Sequence, residues 1–348
     1  MVTVRHNMPL KSPAISTNHS TMVDRSDSSR KPVFVIGCGR SGTTLLYHTI
    51  VSSGNFANYR TESNVLNLLE PRFRPLSSPR NKRRMLDAWY NSRLFTLSGL
   101  DPAELEPLVM ERCQNGGDFL RLIMEEMCRK QGVERWAETT PEHLLYLRRI
   151  KQTIPEALII HVIRDGRDVA LSWEKLRQIR ALPWDRTRLA MAAGIHWEWI
   201  VNRGRTVGRT LGTDYLEVHY EELVRDPRSV LAKLEPFIEH ELDYDHIRKV
   251  GIGSVAVPNT AFRQGEFNPI GRWKSAFTFK ELEALESMIG PTLSDLGYEL
   301  GTSATQHKRP RSLSAMRAIY RSFFSTKHFL KARTPAGRWF VTRDLSWI

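Results

Sequence analysis

Cysteine is scarce in this 348-residue chain, which has three, Cys38, Cys113 and Cys128, with no C-x-x-C pair. Neither a disulfide framework nor a zinc site is suggested, and a reducing compartment is expected. No run of about 18 apolar residues occurs, so no membrane-spanning helix is expected. The first 30 residues are polar and lack the apolar centre of a signal peptide. They are expected to be a disordered leader, and the protein is expected to be cytoplasmic. Acidic residues are scarce at the other end. Residues 302–348 hold ten Lys or Arg against one acid, Asp344, a net of +9 within the chain's +13, which leaves +4 for the first 301. The body therefore lacks the basic footprint of a nucleic-acid-binding domain, and nucleic acid is not an expected partner.

What is present is ordinary for a globular protein: 41% hydrophobic and 26% charged residues. Apolar β-branched runs at Val33–Ile36 and Leu158–Ile163 read as buried strands, each entering a loop and then a helix. Arg135–Glu138 and the alternating Tyr215–His219 read as further strands. Helices are expected over 43–51, 85–95, 118–130, 142–151, 167–177 and 189–203. This order predicts an α/β fold, a central parallel sheet flanked by helices, with its ligand site at the strand carboxyl ends.

The strongest local feature is the run Gly37-Cys38-Gly39-Arg40-Ser41-Gly42-Thr43-Thr44, set between strand and helix. Glycines let the backbone turn tightly and aim several N–H groups at one anion, and the helix start adds its own unpaired N–H groups. Arg40, Ser41, Thr43 and Thr44 supply further donors. The run is like a Walker loop in which Thr43 replaces the lysine that bridges terminal phosphates, so a shorter anionic chain than a triphosphate fits better. A glycine-rich turn without a ligand is the alternative for the loop taken alone.

After the strand 158–163 comes Arg164-Asp165-Gly166-Arg167-Asp168, with Ser172 eight residues beyond Arg164. Together these two segments resemble the sulfotransferase superfamily. In that family an [KR]SGTT loop cradles the 5′-phosphosulfate of 3′-phosphoadenylyl sulfate (PAPS), and an Arg and a Ser spaced as Arg164 and Ser172 bind its 3′-phosphate. Tyr220-Glu221 resembles the family's YE segment near the adenine. Phe262-Arg263-Gln264-Gly265 and Gly271-Arg272-Trp273-Lys274 resemble its late loop over the nucleotide, and by that likeness Arg263 and Gly265 contact the 3′-phosphate. The resemblance covers roughly residues 31–300. It implies a donor site formed by Gly39, Arg40, Ser41, Gly42, Thr43, Thr44, Arg164, Ser172, Tyr220, Arg263 and Gly265, with no metal. The expected organisation is a leader over 1–30, a sulfotransferase domain over 31–301 and a basic extension over 302–348.

The reaction this implies moves a sulfonyl group from PAPS to an acceptor hydroxyl on a carbohydrate, lipid or other small molecule. It needs a general base and fixed donors for the leaving phosphate. One branch of the family uses a Glu shortly after the first helix, where this chain has Glu62. Glu62 is the expected base and Arg40 the expected electrostatic partner. The other reading of Glu62 is a carboxylate at the start of a helix capped by Thr61. Thr139 stands where relatives commonly place a lysine. Glu138 and His143 follow as second-rank bases, with His143 expected on a helix surface.

Trp184, Trp197 and Trp199 either line an acceptor pocket or pack in the core, and the core is expected; Cys38 reads as a small buried residue rather than a reactive thiol. In the extension, Leu313, Met316, Tyr320, Phe323 and Phe324 recur at near-helical spacing among basic residues. Such a helix packs on its own domain, meets a partner or lies on an anionic membrane surface. Two rival functions remain: a P-loop kinase, and a non-catalytic nucleotide- or membrane-binding protein that keeps the fold.

Overall fold

The computed structural model describes residues 31–177, 179–256, 268–303 and 310–335. The leader expected over residues 1–30 lies outside them, as do Arg263 and Gly265. In chain order the elements that matter here are β1 (Val33–Gly37), α1 (Thr43–Val51), β2 (Phe56–Ala57), α2 (Pro79–Tyr90), α3 (Gly116–Gln131) and β3 (Arg135–Glu138). They continue with β4 (Leu158–Ile163), α4 (Gly166–Lys175), α5 (Leu189–Gly208), β5 (Tyr215–His219), α6 (Tyr220–Arg225) and α7 (Pro227–Ile238). Two long helices follow, α8 (Phe279–Asp295) and α9 (Arg311–Arg333).

The strands form one five-stranded parallel sheet in the order β2-β3-β1-β4-β5. A parallel sheet needs cover on both faces, and the alternation of side chains along each strand provides it. Phe34, Ile36, Trp136, Ile159 and Ile163 join one core with α3, α5 and α8. Val33, Val35, Ala137, Ile160 and Val162 join the other, with α1 and α7. The expected α/β class and the strands β1, β3, β4 and β5 are therefore present. β2 is two residues long, too short for a periodic signal. The single helix expected over 85–95 is two, α2 and Arg93–Ser98, because Ser92 starts a new helix by accepting a bond from the Phe95 N–H at 3.4 Å.

Register decides where the loops emerge. Gly37 pairs with Val162, and Ile163 pairs with His219. Strands in a sheet lie about 4.8 Å apart, so the chain leaves β1, β4 and β5 at one level and in adjacent positions. Between β1 and β4 the strand order reverses direction, which opens a crevice at their carboxyl ends.

Two expectations about side chains, those for Trp184 and His143, are corrected. Trp197 and Trp199 are buried, but Trp184 is 64% exposed, since it lies in the irregular stretch before α5 and not on that helix. In α9, Tyr320 and Phe324 are buried against α5 while Phe323 turns outward, one residue being enough to rotate a helical side chain by about 100°. His143 is on no helix surface. It is fully buried, with Nδ1 3.0 Å from Glu138 Oε2 and Nε2 accepting from the Leu66 N–H at 3.3 Å.

That histidine closes a buried cluster at the end of β3. The Ser63 hydroxyl donates to Glu138 Oε1 at 2.7 Å, and the Thr140 hydroxyl donates to the same oxygen. Burial alone would raise the Glu138 carboxyl. The His143 imidazole beside it and the Thr140 hydroxyl win, and hold it at about 2. A carboxyl held below its unfolded value of about 4.3 adds stability above that pH, and the gain disappears as pH falls toward the folded value. Glu138→Gln is expected to cost about 3 kcal/mol near pH 6, in the range for breaking a buried pair. The gap in urea midpoint between wild type and variant is expected to narrow between pH 6 and pH 3.5. A gap that stays constant would contradict this role for the carboxylate.

Candidate active site

The loop between β1 and α1 has the form an anion site requires. Arg40 and Gly42 both have positive φ, 72° and 93°, and the Ser41 N–H closes a tight turn on Cys38 O at 3.1 Å. Alternation of this kind turns successive N–H groups to one side. No side chain caps α1, so its first N–H groups face the same concavity with the helix dipole behind them. Ser41 is fully buried, and its Oγ has no hydrogen-bond partner among the described residues. Thr43 is buried and Thr44 exposed. Gly42 is required twice over: by its φ, and because a Cβ there would come within 2.2 Å of the Tyr220 ring. Cys38 is buried and its thiol is pushed up by that burial, so it packs and does not react.

Arg164 leaves β4 one strand away and reaches into this loop. Its guanidinium donates to Arg40 O at 3.0 Å and to Pro269 O at 2.6 Å, and lies 4.4 Å from the centre of the Tyr220 ring. Ser172, on the second turn of α4, accepts from Arg40 Nε at 3.2 Å. The two residues eight apart in sequence thus both grip Arg40, one by its carbonyl and one by its side chain. Tyr220 is placed under them by the end of β5. Gly39 is fixed from the same side, its carbonyl accepting from the Trp173 indole N–H at 2.8 Å.

A second layer holds Arg164 in place, and sequence reasoning missed most of it. Asp168 accepts from the Gly271 and Trp273 N–H groups at 2.7 and 3.1 Å, pinning the 268–273 segment to α4. Arg167 is buried between Asp165 at 2.7 Å and Glu286 at 2.6 Å and stacks on Trp273 at 3.7 Å. Glu221 accepts from the Asp165 N–H at 3.0 Å and from the Tyr298 hydroxyl at 2.9 Å. The signal for this layer was the charge-dense Arg164–Asp168 run inside an otherwise buried stretch, since buried charges have to be paired.

Glu62 is exposed, on the loop after β2, and it is not part of a capped helix start. The helix that follows, Val65–Leu69, is entered through Asn64 with φ 53° and no side-chain cap, so Thr61 does not act as one. The loop is tied down directly after Glu62: Ser63 bonds Glu138, and Asn64 donates from its side chain to Glu62 O at 3.2 Å and from its N–H to Thr140 Oγ1 at 3.1 Å. Burial and the Arg164 charge hold the Arg40 guanidinium below its ordinary value, while Tyr220 and Glu62 act in the opposite direction. Glu62, Arg40 and Arg164 therefore share one electrostatic environment. Thr139 is buried, and its Oγ1 has no partner among the described residues. Among the described residues no His, Cys, Asp and Glu cluster is arranged to hold a metal ion, and no helix is long and apolar enough to cross a membrane.

Solved sulfotransferase domains are similar to this chain. The sulfotransferase domain of the curacin biosynthetic pathway aligns over 78% of this chain and 99% of its own, with 15% identity and a TM-score of 0.51. The sulfotransferase domain of the Synechococcus PCC 7002 olefin synthase aligns over 85% of this chain and 95% of its own, with 19% identity and a TM-score of 0.47. At this identity the likeness to the curacin-pathway domain speaks for the fold, a parallel sheet flanked by helices. The sequence itself speaks for the family. Residues 32–244, which contain β1, the Arg40 loop, Glu62, Arg164, Ser172 and Tyr220, match the model described as the sulfotransferase family, and the chain belongs to that family.

Proposed function

We propose that this sulfotransferase takes its sulfonyl group from PAPS and delivers it to an acceptor hydroxyl, with Glu62 as general base. The observation that carries the reading is the position of Arg40. Its carbonyl is held by Arg164 and its side chain by Ser172, so the β1 and β4 loops form one crevice with two cationic centres. A donor with a 5′-phosphosulfate and a separate 3′-phosphate needs two such centres, whereas a triphosphate needs one long cradle. The chain's own groups fit the first of these anions. The uncapped start of α1, the unpartnered Ser41 Oγ and the exposed Thr44 all offer hydrogen-bond donors at one place.

In the proposed step, Glu62 accepts the proton of the acceptor hydroxyl as its oxygen bonds to sulfur. The bond between sulfur and the 5′-phosphate oxygen breaks, and the electron pair leaves with the phosphate. Arg40 and the loop N–H groups stabilise that developing charge. Glu138 has a positioning role in this scheme, since it fixes Ser63 beside the base and its own carboxylate is enclosed.

Two measurements test the reading. Arg164→Ala removes charge-assisted bonds worth about 1.5–3 kcal/mol, so affinity for 3′,5′-adenosine bisphosphate is expected to fall about 10- to 150-fold in a metal-free thermal-shift titration. Stabilisation by Mg-ATP in preference to the bisphosphate would favour the kinase reading instead. Glu62→Gln is expected to lower kcat for donor-coupled sulfonation by about 10²- to 10⁴-fold, while bisphosphate affinity stays at the wild-type level. Near-full turnover by that variant would remove Glu62 from the role of base.

A further inference from the structure

The helix α9 holds six Lys or Arg and no acid, and it divides them between two faces. Three turn inward to acids of the body. Arg317 lies 2.7 Å from Glu198 Oε1, Arg321 lies 3.5 Å from Glu198 Oε2, and Lys331 Nζ lies 3.2 Å from Glu142 Oε2. The Tyr320 hydroxyl donates to Asp185 at 2.6 Å on the same inner side. The acids that reach α9 are thus engaged beneath it. Arg311, Lys327 and Arg333 are exposed and pair with no acid among the described residues. A surface helix normally turns polar side chains to water. The outward side of α9 carries Ile319, Phe323 and Phe329 instead, which keep 44%, 43% and 52% of their surface exposed.

The neighbours of α9 extend this surface at both ends. Exposed Trp184 lies in a turn closed by the Asp185 N–H on Leu182 O at 2.9 Å. That turn is fastened to α9, because the Leu182 N–H donates to the Tyr320 hydroxyl at 2.9 Å and Asp185 accepts from it. Tyr320 adjoins Ile319 in sequence, so the indole stands near the outward residues of the helix. At the far end Arg74 bonds the carbonyls of the last turn. Beside it Arg72 and Arg84 lie over the Phe73 ring, at 5.4 and 6.0 Å from its centre. Both are exposed, and neither pairs with an acid among the described residues. Asp87 is the single acid of α2. These elements all lie on one side of the sheet, since Met85, Leu182 and Phe324 join the core that holds Phe34 and Ile36.

The combination of exposed aromatic side chains with unneutralised cations decides between occupants. A second copy of the chain would set like charges against one another. A soluble polyanion would satisfy the cations and leave the apolar side chains in water. An anionic bilayer answers both, with headgroup charge for Arg and Lys and the acyl boundary for Trp, Phe and Ile. We propose that this face docks on an anionic phospholipid surface. In that docking α9 lies in the plane of the interface and Trp184, Ile319, Phe323 and Phe329 enter the boundary. The cations fixed to Glu198 and Glu142 hold the helix to the body, and those left outward hold the body to the lipid. The proposal stands independently of the donor and base assignments above.

The test floats the full chain with vesicles of phosphatidylcholine alone and with vesicles that also contain phosphatidylserine. Binding is expected to the second kind only, and to weaken as salt is raised. Replacing Arg84, Lys327 and Arg333 together by Ala is expected to weaken it about 100-fold, at about fivefold for each cation near the surface. Ile319→Ser with Phe323→Ser is expected to weaken it about tenfold. All these side chains are exposed, so the thermal midpoint and bisphosphate affinity are expected to stay at wild-type level. A control removes the same charge from the other side of the sheet. Replacing Lys233 of α7 and Arg248 and Lys249 of the helix Tyr244–Val250 by Ala is expected to leave binding within about twofold. An equal loss in the two cation triples would reduce the effect to net charge and overturn the proposal. Full binding by the Ile319 and Phe323 variant would mark a patch for soluble polyanions and overturn it too. So would absence of vesicle binding, and dimerisation in sedimentation that this variant abolishes would then name a second copy as the occupant. Bisphosphate binding that persists in every variant leaves the donor reading intact whichever result is found.

Discussion

The hydrogen-bond register that sets Gly37 against Val162 and Ile163 against His219 brings three loop starts to one edge of the sheet. Every contact between the Arg40 loop and Arg164 depends on this alignment. A slip of one residue along β4 would turn the side chains of the strand to its other face and carry Arg164 away from the Arg40 carbonyl. Such a slip is opposed by both cores at once, because Ile159 and Ile163 are committed to one and Ile160 and Val162 to the other. The chemistry is therefore positioned by apolar packing that never touches it.

Around that alignment the protein spends its buried charge on orientation. Arg167 is tied to Asp165 and Glu286, Asp168 to the backbone of Gly271 and Trp273, and Glu221 to Asp165 and Tyr298. Each of these groups is paired where it lies, as the cost of burying an unpaired charge demands. None of them is needed to neutralise a ligand. Arg40 and Arg164 sit in reach of one another, and burial together with the Arg164 charge lowers Arg40's tolerance for positive charge. An arriving anion relieves that mutual repulsion, which gives the crevice a built-in preference for negative ligands.

Much of this was legible in the residues. The apolar runs at 33–36 and 158–163 are long enough to read as buried strands, and the Gly39–Thr44 loop declares itself by glycine spacing and hydroxyl content. Arg164 and Ser172 became readable only as a pair, because each alone is an ordinary residue. What stayed hidden has a common physical cause. His143, Glu142 and Lys331 acquire their meaning from partners far away in sequence: Lys331 lies 189 positions from Glu142. No local periodicity encodes such a contact. Trp184 was misjudged for the opposite reason, since hydrophobic character was taken as burial, and apolar atoms occupy much of any protein surface.

The attachment of α9 has a consequence for how the molecule is made. The Arg74 guanidinium bonds the carbonyls of Lys331, Ala332 and Thr334, contacts that span 257 to 260 positions. Chains emerge from the ribosome with the amino-terminal part first, and contacts of long sequence separation form late. The strands that place Arg40, Arg164 and Tyr220 are all synthesised before residue 221, so the crevice at their carboxyl ends can begin to form while the chain is still growing. The helix that carries Lys331 comes last. Until the end of the chain has docked, Glu142 stands without its ammonium partner.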